Sequence, residues 1–133
     1  MIIDTSALLA ILRDELEARS SAEAIARAVS RRVSAASFLE AAIVIDASRD
    51  PIASRRLDDL LKVADIAIEL VTEDQARIGR EAYRDFGKGS GHPAQLNFGD
   101  CFAYALAKAT GEPLLFKGDD FAHTDVTPAT GRP

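Results

Sequence analysis

An α/β domain with a mostly parallel central sheet is the fold class that this sequence predicts. Three observations carry the prediction. Short apolar segments alternate with longer segments of helical character, the pattern of strands joined by crossover helices. The chain has 133 residues, enough for one domain with a real core, and holds no repeat, linker or low-complexity block. Acidic residues recur where strands end, and sheets of this class bind ligands outside the carboxyl ends of their strands.

The elements follow in order. Met1 to Asp4 reads as a short buried strand. Thr5 or Ser6 is placed to cap a helix that runs to Leu12. Glu15 to Val29, rich in Ala and Arg, has helical character, and Arg32 to Ala35 has that of a short strand. Ser37 to Ser48 reads as a helix that Asp50-Pro51 breaks. Ile52 to Val63 is an amphipathic helix whose apolar face is expected to hold Leu57, Leu60, Leu61 and Val63. Ala67 to Val71 reads as a strand, and Thr72 as the N-cap of the next helix, with Gln75 at the capping-box position. The Gly- and Pro-containing stretch FGKGSGHPAQLNFG is a loop. Asp100 to Thr110 is a helix ended by Gly111 and Pro113, and Leu114 to Lys117 a strand. The tail TPATGRP is expected to fray.

Composition bounds the function. With 47% apolar and 28% charged residues, a soluble globular protein is expected. No run of about 18 uncharged apolar residues occurs, so no membrane span is expected. A secretory signal is not expected either, because no basic region precedes the first apolar stretch and Asp4 interrupts it. Cys101 is the only cysteine. It allows no intrachain disulfide and fits a reducing cytoplasm. The net charge of −5 argues against coating nucleic acid by bulk charge. An acidic protein can still work on nucleic acid where metal ions neutralise its site.

Four acidic positions stand out, each with a plainer alternative. Asp4 follows a buried strand, where a carboxylate is costly unless paired or bound. Glu40 interrupts the apolar ASFLEAAIVI, although Ser37 and Glu40 also match a capping box. Asp100 opens an apolar helix, where the macrodipole alone favours an acid and Asn97 could be the cap. Asp119 and Asp120 follow a strand and Gly118, where aspartates also make turns. Carboxylates that converged without cations would repel one another and bind protons. A hard divalent cation removes that conflict, and oxygen ligands suit Mg²⁺ or Mn²⁺.

Other motifs are weak or missing. His92 and His123 are isolated, and no zinc spacing, P-loop or G-x-S-x-G elbow occurs. Arg77, Arg80, Arg84 and Lys88 recur at three- or four-residue steps. They form either a solvated basic edge or a track for phosphates.

With these residues in view, the chain resembles a PIN domain, and more narrowly a VapC-type toxin of a type II toxin–antitoxin pair. IIDTSALLAIL resembles the family's opening strand and turn. SAASFLEAAIVI resembles its helix with a single glutamate, and LNFGDCFAYALAKATGEPLLFKGDDFAHTDV its C-terminal half. The stretch from Ser48 to Ala94 matches only loosely. The resemblance implies a three-layer α/β/α sandwich over the whole chain, 1–133, as one nuclease domain. Asp4, Glu40 and Asp100 match the family's three main acids, and Asp119 or Asp120 the fourth, so all five are candidate catalytic and metal-binding residues. Ser6 matches a hydroxyl position expected to support Asp4. The implied activity is a Mg²⁺- or Mn²⁺-dependent endoribonuclease, held inactive by a cognate antitoxin protein and forming a homodimer within a larger toxin–antitoxin complex. Arg84, Lys88 and Lys117 are the expected RNA contacts. Two other readings stay open: a degenerate, non-catalytic PIN-like binding module, and an aspartate-dependent phosphatase or phosphoacceptor, for which Lys117 would be the partner lysine.

Overall fold

Two isoleucines suffice for the first strand, Ile2–Ile3 (β1), because both are completely buried. The computed structural model describes residues 1–130. After β1 come the helices Thr5–Leu12 (α1) and Ala18–Arg27 (α2), then the strand Arg32–Ser34 (β2). The helices Ala35–Ala47 (α3) and Pro51–Val63 (α4) lead to the strand Ala67–Glu69 (β3). The helices Glu73–Phe86 (α5) and Phe98–Thr110 (α6) precede the strand Leu114–Leu115 (β4) and a 3₁₀ turn, Asp120–His123. The strands form one parallel sheet in the order β3-β2-β1-β4.

Helices cover both faces of the sheet, and strand alternation assigns the sides. Ile2 and Leu114 pack with α5 and α6 through Ala82, Ala103, Tyr104 and Leu106. Ile3, Val33 and Leu115 pack on the other side with α1, α2 and α3 through Ala7, Leu8, Ile25 and Ala41. The expected three-layer α/β/α sandwich is therefore the observed one. The connection from β1 leads to β2 on one side, while β4 lies on the other. The β1/β4 boundary is thus the point where strand order reverses, the usual ligand crevice of such sheets. Among the described residues no helix is long and apolar enough to cross a membrane.

Local chemistry corrects several element boundaries. The expected helix from Glu15 begins only at Ala18, leaving Glu15 to Glu17 in a loop. The helix expected from Ser37 begins at Ala35, because Ser34 is its N-cap and accepts from the Ala36 N–H. Ser37 and Glu40 therefore make no capping box, and Ser37 is buried inside the helix. Asp50 caps α4, and Pro51 occupies its first turn, where a missing N–H costs nothing. Val63 leaves the expected apolar face and is exposed, whereas Leu57 is buried. Thr72 accepts from the Gln75 N–H at 3.1 Å, but the Gln75 Oε1 is buried without a partner, so only half of that capping box forms. The tail does not fray where it begins. Leu114 donates to the Thr127 carbonyl and accepts from the Ala129 N–H, both at 2.8 Å. The rest of the expected frayed segment, residues 131–133, lies outside the described residues.

Candidate active site

Asp4 ends up buried because β1 is central and so short. Its N–H continues the sheet by donating to the Leu115 carbonyl at 2.9 Å, while its side chain caps α1. Only 3% of Asp4 is exposed. The Ser6 N–H and hydroxyl both donate to Asp4 Oδ2, at 3.0 and 2.6 Å. Ser6 Oγ accepts in turn from the Lys117 N–H at 3.0 Å, which joins the ends of β1 and β4. Ser6 thus stands where the sequence places it, beside Asp4. Burial pushes the Asp4 carboxyl up to about 6, the Ser6 bonds pull it back, and the charge of Glu40 adds to the rise.

Asp100 is both a helix-start acid and a member of the site. Asn97 accepts from the Asp100 N–H at 2.9 Å, and Asp100 Oδ2 accepts from the Asn97 N–H at 3.0 Å, a reciprocal capping box. This box moves the helix start from the expected Asp100 to Phe98. Desolvation pushes the Asp100 carboxyl up to about 7; the Asn97 N–H opposes this, and the charges of Asp4 and Asp120 reinforce it. Asp120 is also within hydrogen-bonding reach of Asp100. Asp119 precedes the 3₁₀ turn and caps it without a side-chain hydrogen bond. Gly118, at φ 94°, adopts the left-handed conformation that brings the turn round.

Glu40 projects from α3 onto the first turn of α6. A Cβ on Gly99 would stand 2.9 Å from Glu40 Cδ, and nearer still to Oε2. Any larger residue there would make this carboxylate shift. Gly99 is a residue that the sequence reading passed over, although its place directly before Asp100 was a usable signal. Glu15 and Glu17 were also missed, because both fell in an expected helix. They pair with Lys117 Nζ, Glu15 closely and Glu17 at 3.7 Å.

Interactions therefore link Asp4 to Glu40, Asp4 to Asp100, and Asp100 to Asp120. Among the described residues none of these four acids makes an ion pair with Lys, Arg or His. The basic positions are spread elsewhere. Arg77 pairs with Glu73 and Arg84 with Asp85, each at 3.0 Å, so much of that helix edge is a solvated, self-paired face. Lys88 lies exposed in the loop after α5. Burial and the Asp100 charge push the Cys101 thiol up to about 11, which removes it as a nucleophile at neutral pH.

A sheet of this topology, with acids from four separate elements at its switch point, defines a class, and the sequence family agrees with it. The PIN domain model matches residues 1–126, and the chain belongs to the PIN domain family. More narrowly, it is 60% identical over 132 residues to Ribonuclease VapC28 of Mycobacterium tuberculosis, with 99% of each chain covered. It is 50% identical over 129 residues to Ribonuclease VapC42 of the same species, covering 97% of this chain and 98% of the relative. Among solved structures, the Sarcin-Ricin loop cleaving toxin VapC20 of M. tuberculosis superposes with a TM-score of 0.73 at 14% identity, over 95% of each chain. A toxin–antitoxin complex from Klebsiella pneumoniae gives 0.71 at 18% identity, over 93% of this chain and 92% of that one. At such identities these two structures speak for the fold alone.

Proposed function

We propose that this chain is the endoribonuclease toxin of a toxin–antitoxin pair and hydrolyses RNA phosphodiester bonds with the help of Mg²⁺ or Mn²⁺. The observation that carries the reading is the pair of buried acids at the β1/β4 boundary, Asp4 and Asp100, whose carboxyls are raised by burial and by the neighbouring carboxylates of Glu40, Asp4 and Asp120, with no cationic side chain paired to them. The nuclease unit spans the whole chain, 1–133, in the cytoplasm.

The residues fit a hard divalent ion. Their donors are carboxylate oxygens, and each like charge that raises Asp4 or Asp100 would turn favourable beside a dication. Among the described residues no three His, Cys, Asp or Glu side chains are gathered so that they could hold a metal ion between them, so the ion would rest on one or two carboxylates at a time. Mg²⁺ takes one or two carboxylates and keeps several waters, so an open set of acids suits it. When bound, such an ion supplies a Lewis acid for the scissile phosphate and lowers the pKa of water.

The chain's own residues divide the remaining work. Asp4 and Asp100 would hold the ion, and Glu40 would serve as a further ligand or hold a water on it. Asp120 is the fourth acid, because its carboxylate and not that of Asp119 couples to Asp100. Ser6 occupies Asp4 Oδ2 and so orients the carboxylate. The convergence of all four acids speaks against a degenerate binding module. Lys117, engaged with Glu15 and Glu17, does not serve Asp4 as the partner lysine of a phosphoacceptor would.

Partners follow from the surface. Leu39, Ile43 and Phe98 are 57%, 59% and 76% exposed around a groove of about 400 Å³ that Glu40 also lines. Clustered exposed apolar residues of this kind suit a homodimer interface. The acid cluster suits an arginine from an antitoxin segment, which can pair with two carboxylates and displace the ion. RNA contacts are assigned to Arg84 and Lys88.

The test is a pair of measurements on the wild type, Asp4→Asn and Asp100→Asn. Mn²⁺ is expected to raise the wild-type melting temperature by mass action, and both variants to lose that rise along with RNA cleavage. Sequencing of RNA ends after induced expression, with Asp4→Asn as control, identifies the target. Cleavage that survives both substitutions would sink the reading.

A further inference from the structure

Lys117 touches the first turn of α1 and the loop that follows the helix. Its backbone N–H donates to Ser6 Oγ, in the first turn of the helix, at 3.0 Å. Its Nζ reaches Glu15, in the loop beyond the last turn, and lies 3.7 Å from Glu17. Lys117 thus ties the first turn of the helix that starts at Asp4 to the loop that follows its last turn.

The backbone contact has a chemical consequence. A serine hydroxyl carries one proton and two lone pairs. With one lone pair accepting from the Lys117 N–H, the proton of Ser6 is turned to Asp4 Oδ2, which it meets at 2.6 Å. Gly118 then turns at φ 94°, and Asp120 follows two residues later. The peptide at Lys117 therefore lies between the group that orients Asp4 and the turn that carries Asp120. The lysine side chain is only 33% exposed and Glu15 only 32%, so this is a partly desolvated pair, less screened than one held out in water.

We propose that Lys117 is a positioning residue, not an RNA contact: anchored by Glu15, it ties the loop after α1 to the first turn of that helix and holds Ser6 and the Asp120 turn in place. The inference rests on the reading of Asp4 and Asp120 as site acids. Groups that orient ligand side chains from behind change metal affinity or rate by about 10- to 100-fold when removed, and an anchor one bond further out belongs at the lower end of that range.

The experiment compares Lys117→Met, Glu15→Gln and the double variant with the wild type. Three quantities are read: cleavage rate at saturating RNA, affinity for a cleavage-resistant RNA at several salt concentrations, and hydrogen exchange of the Lys117 amide. Each single variant is expected to slow cleavage about tenfold and to speed Lys117 amide exchange, while RNA affinity and its salt dependence stay at wild-type values. The double variant is expected to be no slower than Lys117→Met, because both substitutions break one clamp. An RNA affinity that falls, with a flatter salt slope, in Lys117→Met alone would make the lysine a phosphate contact and overturn the proposal. So would unchanged Lys117 amide exchange in Glu15→Gln. That exchange needs no activity, so it tests the clamp even if Asp4→Asn were to disprove the role of the acids.

Discussion

Asp4 is stabilised by Ser6 and destabilised by its burial, and the second effect is the larger. Without metal it keeps its proton to about pH 6 in the folded chain, against 3.8 as its ordinary value. Between those pH values the folded state binds more protons than the unfolded one, so this residue's contribution to stability falls as pH rises through the window. A difference of this size corresponds to roughly 3 kcal/mol, an upper bound for a relaxed protein. Asp100 acts with the same sign up to about 7. Asp4→Asn is therefore expected to gain stability relative to the wild type as pH rises from about 4 to 7 in chelator; urea denaturation at both ends checks it. A gap that narrows with rising pH would contradict the assignment. Gly99 offers a second residue-scale case. Gly99→Ala adds a better helix former, worth up to about 1 kcal/mol, yet its methyl would displace Glu40. The expected result is an unchanged or higher melting temperature with a loss of Mn²⁺ affinity and of cleavage. Full activity would show that the Glu40 placement is dispensable.

At the scale of elements, caps decide where the site acids stand. Two of the three main acids lie at or next to helix starts, Asp4 as the cap of α1 and Asp100 in the first turn of α6. The Asn97 box is built from one side-chain acceptor and one backbone donor. Asn97→Ala removes only the acceptor, since the residue-97 N–H still reaches Asp100. It is expected to cost about 1 kcal/mol of stability and leave cleavage nearly intact; thermal melts and a cleavage assay together check this. A large loss of activity would show that the asparagine side chain itself serves the site. The start of α3 is ambiguous in the sequence for a related reason. Ser34 and Ser37 are both good caps by type, and only the end of β2 at Ser34 selects the first. Ser37 instead offers its carbonyl to the Thr5 hydroxyl at 2.9 Å, a bond between residues 32 positions apart.

For the whole molecule, charge and apolar surface are set against each other. A net charge of −5 repels RNA at a distance, so attraction has to be local. Arg84→Glu and Lys88→Glu are expected to weaken RNA binding across sequences and to flatten its salt dependence, each by about one charge. Because Asp85 already engages Arg84, the Lys88 change is expected to have the larger effect; binding of cleavage-resistant RNA at several salt concentrations measures both. The apolar face of α3 and α6 makes a separate prediction. Phe98, stacked edge-on against Phe102 at 5.0 Å, is exposed in the single chain. Light scattering is expected to find the proposed homodimer in the wild type and a folded monomer in Phe98→Asp. A monomeric wild type would refute the homodimer, and a variant that remains dimeric would move the interface elsewhere.

The alternation of short apolar strands with helices determined the parallel α/β class, because buried strands and amphipathic helices leave different periods in a sequence. Asp4, Glu40 and Asp100 stand out in the sequence one by one, as charges in apolar surroundings, and the fold brings these candidate acids near one another. The preference for Asp120 over Asp119 as the proposed fourth acid comes from tertiary structure alone, since adjacent residues share every local signal and Asp120 is the one that interacts with Asp100. It alone showed that Gly99 makes room for Glu40, a contact between helices distant in the chain. It also turned Lys117 from a free cation near the acids into a residue held by Glu15. Charge is a property of a residue and can be read from its letter, but the partner that neutralises it is set by packing over a separation of 102 positions.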